Sequence, residues 1–193
     1  MSFFKMSSPL AARRFFLQRS GAVLSGAAVA LLAGRDALAA GSDKNGGKSH
    51  AGDVRILNTA LAAELEAVAA YALGAKSGLL QKPVLDLAVT FQGHHKEHAD
   101  VLSKTIQKLG GKPAEPKAQY SFPTDQLKSQ ADVLRFAAGL EKGAVSAYLG
   151  AVPLFAKREL SKAAASILGD EAMHWAVLRQ AIGEQPVPSA FVS

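Results

Sequence analysis

Four stretches of the chain place apolar residues at alternating steps of three and four, the spacing of one helix face. Leu57, Leu61, Glu64, Val68 and Tyr71 mark the first stripe. Ala88, Phe91, His95, His98 and Leu102, with Leu109 further on, mark the second. Leu134, Ala138, Glu141, Val145 and Tyr148 form the third, and Ala164, Ile167, Glu171, His174, Leu178 and Ala181 the fourth. The spacing predicts helices over 53–76, from Pro83 to the Gly110-Gly111 pair, over 130–151, and from between Lys157 and Ser161 to Gly183. Asp53 is the expected N-cap of the first, and Pro83 suits a first helical turn. Pro153 ends or kinks the third. No stretch alternates with period two, so the chain reads as all-α. The connection over 110–129, with Pro113, Pro116 and Pro123, is too long for a tight turn between neighbours. It is long enough to cross a helical bundle from end to end.

The stripes are not purely apolar, and their polar members repeat. Glu64-Leu-Glu-Ala-Val-Ala-Ala-Tyr71 is followed by Gly93-His-His-Lys-Glu-His-Ala-Asp-Val-Leu102. Glu141-Lys-Gly-Ala-Val-Ser-Ala-Tyr148 is followed by Gly169-Asp-Glu-Ala-Met-His-Trp-Ala-Val-Leu178. The chain thus duplicates a helix pair and puts carboxylates and imidazoles on the faces that should be buried. An unpaired buried carboxylate costs on the order of several kcal/mol, so several on one seam need a positive partner. A divalent metal pair is the simplest one. Carboxylate and imidazole donors suit iron or manganese, and zinc as well. Glu171 and His174, three apart, project from one face toward one centre.

These residues resemble the ferritin-like superfamily of ferritins, rubrerythrins and exported ferritin-like domain proteins. That resemblance implies a four-helix bundle with one long crossover between the second and third helices. It also implies a di-metal site built from one Glu of the first helix, Glu-x-x-His of the second, one Glu of the third and Glu-x-x-His of the fourth. Glu64, His98, Glu141, Glu171 and His174 match that pattern, over about residues 53–183. His95 departs from it, standing where the family places a bridging Glu. A neutral imidazole has one free nitrogen and does not bridge as a carboxylate does. Three alternatives follow: an asymmetric pair bridged by Glu171, a single metal, or no metal. Glu97 lies about 100° round the helix from His98 and does not restore the pattern. Glu66 points away from the Glu64 stripe.

Tyr71 and Tyr148 lie two turns beyond Glu64 and Glu141. They read either as groups tuning the centre by hydrogen bonds or electron relay, or as core tyrosines satisfied by a neighbouring helix. His94 lies off the seam and is expected to pack or face solvent, His50 is expected to be uninvolved, and Met173 and Trp175 are expected to pack on adjacent helices.

The chain's start changes the reading of its charge. Arg13-Arg-Phe-Phe-Leu-Gln18, the mild apolar run 21–34 and Ala37-Leu-Ala39 resemble a twin-arginine signal with a cleavage site, assigned to residues 1–39. The run is about 14 residues, short of the roughly 20 of a stable span. The expected location is the periplasm or cell envelope, with no membrane span after cleavage. Of 22 basic and 16 acidic residues, five and one fall in this segment, leaving 17 and 15. A balance so near neutral gives no support for a nucleic-acid partner. Residues 40–52, polar and Gly-rich, are expected to be a flexible linker, and 184–193 a surface tail. With no cysteine, disulfides and thiolate ligands are excluded.

Two functions fit. One is an exported redox metalloprotein holding one or two iron or manganese ions per chain and reacting with oxygen or peroxide. The other is a non-catalytic metal-binding or envelope stress-response bundle. A metal-free bundle whose glutamates and histidines pair with each other is a third, costlier reading. A homodimer is compatible with a bundle of this size.

Overall fold

The computed structural model describes residues 46–192. Four long helices account for most of them: α1 (Gly46–Lys76), α2 (Lys82–Lys108), α3 (Gln130–Ala151) and α4 (Arg158–Ala181). Short 3-10 turns lie at Thr124–Gln126 and Val152–Leu154, and there is no strand among the described residues. The expected signal segment 1–39 lies outside the described residues.

The helices pack as two hairpins, α1 on α2 and α3 on α4, which meet chiefly along α1 and α3. The contacts at their ends fix the topology. The Gln130 side chain at the head of α3 accepts from the Gln81 N–H at the head of α2 (2.8 Å), so both helices start at the same end of the bundle. At the opposite end, Asn58 in the first half of α1 donates to Lys112 O (3.0 Å) and accepts from Ala114 N (2.6 Å) just past α2. The chain between α2 and α3 therefore crosses the bundle from one end to the other, as its length suggests. Gly110 makes the turn at φ +76°, and Gly111 lies so close to α1 that a Cβ would stand 2.6 Å from Val54 Cγ1.

Helix α3 begins and ends where its pattern places it, with Ser129 Oγ capping Asp132 N. Helix α1 does not. It starts at Gly46, seven residues before Asp53, so much of the expected linker 40–52 is helical. Asp53 is no cap: its carboxylate, 1 % exposed, accepts from Ala156 N at 2.8 Å and ties α1 to the turn between α3 and α4. Ala181 is also exposed rather than in the seam, at the last turn of α4.

The core falls into two apolar clusters. One, nearer the start of α1, gathers Leu57, Leu61, Leu102, Ile106, Ile167 and Tyr148. The other gathers Tyr71, Phe91, Leu134, Ala138 and Leu178. The polar members of the four stripes lie between them, so each tyrosine belongs to one apolar cluster and reaches the polar layer with its hydroxyl.

Candidate metal centre

Glu64 of α1, His95 of α2, Glu141 of α3 and Glu171 and His174 of α4 are each 2 % exposed or less. The His98 side chain is 15 % exposed. All six residues drawn from the stripes meet. His95 Nδ1 lies 2.8 Å from Glu64 Oε2, and its Nε2 lies 3.2 Å from Glu141 Oε1. His98 Nδ1 is 3.1 Å from Glu171 Oε1, and His174 Nδ1 is 3.2 Å from Glu171 Oε2. Two overlapping groups result, each with ligand atoms close enough to hold one ion: Glu64, His95, His98 and Glu171, and His95, Glu141, Glu171 and His174. Glu171 and His95 belong to both.

The tyrosines are crossed. Tyr148 of α3 donates to Glu64 Oε1 on α1 at 2.6 Å, and Tyr71 of α1 donates to Glu141 Oε1 on α3. Burial, reinforced by the partner carboxylate, pushes both phenols well above their ordinary range, so they stay protonated as donors.

Charge in this layer is balanced by protons. Burial pulls the imidazoles down, but close contacts with the carboxylates outweigh it and raise His95 to about 11 and His98 and His174 to about 9. Burial pushes Glu64 and Glu141 up. The facing histidines outweigh it and hold both below the usual carboxylate range. Glu171 goes the other way, raised by burial and by neighbouring Glu141. Three imidazolium groups against three carboxyl groups make a self-compensating network.

That network is incompletely satisfied. Glu141 Oε2 is buried without a hydrogen-bond partner, and Glu171 Oε1 and His98 Nδ1, though 3.1 Å apart, are not aligned to hydrogen-bond and have no other partner. Orphaned acceptors and imidazole nitrogens converging from four helices are the donor set a divalent ion takes up when the histidines give up their protons.

Two residues at the rim were not among the expected six. The Asp170 Oδ2 atom lies 3.2 Å from His174 Nε2, 3.4 Å from His98 Nε2 and 3.3 Å from His94 Nδ1. His94, expected to pack or face solvent, stands 2.8 Å from His174 Nε2. It lies one turn before His98, as Asp170 lies one turn before His174, so each flanks its seam on the ligand side. The duplicated pattern carried the signal, because His94 and Asp170 hold equivalent places after Gly93 and Gly169. Met173, expected to pack, is 60 % exposed because it falls on the outer face of α4. Trp175 packs partly against the second core cluster, with Lys142 and Arg179 over its ring. Glu97 is exposed.

The sequence pattern of the ferritin-like domain family matches residues 52–184. The chain belongs to that family. Among solved structures, it resembles a conserved hypothetical protein from Mycobacterium tuberculosis, with a TM-score of 0.64 and 23 % identity over 74 % of this chain and 99 % of that one. This likeness extends to the fold. None of the curated proteins matches the chain. The ferritin-like bundle and its buried His/Glu groups, able to hold metal, stand together on the family match and the geometry.

Proposed function

We propose that this ferritin-like chain is a metalloprotein of the cell envelope, exported by its twin-arginine-type start, that holds two divalent ions at its centre. The observation that carries this reading is the pair of overlapping ligand groups sharing His95 and Glu171. The three orphaned buried polar atoms among them support it. Glu64 and His98 would hold one ion, Glu141 and His174 the other, with Glu171 between them. Iron or manganese bound there supplies a one-electron redox couple, and oxygen or peroxide are the oxidants small enough for so buried a site.

The protein's own groups do the rest. Tyr148 and Tyr71 fix Glu64 and Glu141 by hydrogen bonds: Tyr148 holds Glu64 Oε1 and leaves Oε2 against His95, while Tyr71 holds Glu141 Oε1, which also faces His95, and leaves Oε2 without a partner. Asp170 Oδ2 stands against the outer nitrogens of His98 and His174, the side opposite their Nδ1 atoms, which face the buried layer. The apolar clusters at both ends keep bulk water out of the layer.

A second reading has its own support. His–Glu contacts at 2.8 and 3.2 Å also describe a bundle held together by protonated histidines, with metal binding weak or absent. The two readings are separated by Glu171→Ala. Metal at the buried groups should fall to background in the variant if Glu171 serves both ions, and unchanged occupancy there would refute the assignment.

A further inference from the structure

Asp170 and two of the imidazoles on it form a ligand set of their own. His94 Nδ1, Asp170 and His174 Nε2 lie close enough together to hold one ion, and they use none of the carboxylates of the buried layer. Their side chains run from solvent inward, 40 % exposed at His94, 24 % at Asp170 and 2 % at His174. His174 belongs to both the outer and the buried group, through opposite ring nitrogens: Nε2 faces His94 and Asp170, Nδ1 faces Glu171.

We propose that His94, Asp170 and His174 Nε2 are an outer station that captures a divalent transition-metal cation from solvent and passes it to the buried centre. The proposal rests on the reading of that centre as a metal site. A neutral imidazole has one lone pair, so His174 serves one station at a time. With the cation outside, Nε2 is the ligand and Nδ1–H faces Glu171. With the cation inside, Nδ1 is the ligand and Nε2–H donates to Asp170. The proton moves between the two ring nitrogens, with no net gain or loss. Asp170 is a ligand in the first state and a hydrogen-bond acceptor in the second. Orientation of His98 and His174 by Asp170 would not by itself call for His94. A third imidazole on the same carboxylate oxygen, at the solvent side, is what a capture site needs.

The test is cobalt(II) uptake by the full-length protein, followed by its visible absorption after rapid mixing, with anomalous-scattering maps from crystals soaked briefly and to saturation. His94 is at the surface, so His94→Ala and His94→Gln should fold as the parent does. Brief soaks should show cobalt between His94 and Asp170 in the parent and not in His94→Ala. Filling of the buried site in His94→Ala should be roughly tenfold slower, the scale of losing one supporting group of a metal site, with its final cobalt content unchanged. Glu171→Ala should keep the outer cobalt and lose the inner. Equal uptake rates in parent and His94→Ala, with no outer cobalt in the parent, would overturn the station. So would a lower final inner content in His94→Ala, which would make His94 part of the centre itself. Absence of cobalt from the buried groups of the parent at saturation would instead overturn the reading of the centre, and the transfer role with it.

Discussion

The hydroxyl of Tyr148 on α3 donates to Glu64 on α1 across the bundle at 2.6 Å, and Tyr71 on α1 returns the same bond to Glu141 on α3. The two halves of the duplicated sequence therefore hold each other's carboxylates. Each phenol roots in one apolar cluster and reaches into the polar layer, so it joins core packing to ligand position.

Removing one of these hydroxyls should have a defined effect. Tyr148→Phe leaves Glu64 Oε1 buried without its donor, at a cost of about 1–3 kcal/mol. Thermal unfolding of the metal-free protein should shift down accordingly, with metal content retained. A change in turnover with oxygen or peroxide, beyond the change in metal affinity, would mark Tyr148 as part of a redox reaction.

His95 is the chain's departure from the family, and its place is specific. Its two nitrogens face Glu64 and Glu141, one in each ligand group. As an imidazolium it supplies the central positive charge that a metal would otherwise supply. His95→Glu removes that charge and adds a carboxylate that can bridge. The variant should be less stable without metal and bind the ions more tightly, by roughly tenfold or more. Isothermal titration with Mn(II) measures this, and weaker binding in the variant would contradict the role given to His95.

Stability of the metal-free protein should depend on pH in a set direction. His95, His98 and His174 titrate at about 11, 9 and 9 when folded against 6.5 ordinarily. Their contribution is complete below about 6.5 and is lost as pH rises, through about 9 for His98 and His174 and about 11 for His95. Glu64 and Glu141, held low, contribute above about 4.5 and lose that as pH falls; Glu171, pushed up, opposes them. The metal-free protein should thus be most stable between about 4.5 and 6.5 and should melt several degrees lower at pH 9. Metal binding should run the opposite way, tightening as pH rises, with about three protons released per chain at neutral pH when His95, His98 and His174 all become ligands. Differential scanning calorimetry and pH-stat titration check the two arms.

Much of this was legible in the sequence, for a physical reason. Helix α3 follows its stripe from Gln130 to Ala151 because Ser129 caps its start and Pro153 follows its end. The six stripe residues converge because a period of 3.6 puts Glu171 and His174 on one face. Asp53 misled because its carboxylate serves the distant Ala156 N–H, a contact no local pattern encodes. His94 and Asp170 were missed because a single stripe takes account of one helix only. Their meeting follows from how α2 and α4 face each other, which the repeat alone hinted at.

The crossover offers a test of the fold independent of metal. Gly111→Ala would put a methyl 2.6 Å from Val54 Cγ1 and 2.9 Å from Ile106 Cγ2. The clash should cost about 1–3 kcal/mol and lower the melting temperature, with no change in metal stoichiometry. A melting temperature equal to the parent's would show that the crossover is not pinned where the structure has it.

The most direct measurement is the number of metal ions per chain, by elemental mass spectrometry, in protein purified without added metal or chelator and again after loading with Fe(II), Mn(II) and Zn(II). About two ions per chain at saturation are expected from the two ligand groups that share His95 and Glu171. No bound metal under any of these conditions would contradict the account and leave the histidines and glutamates as a proton-compensated core.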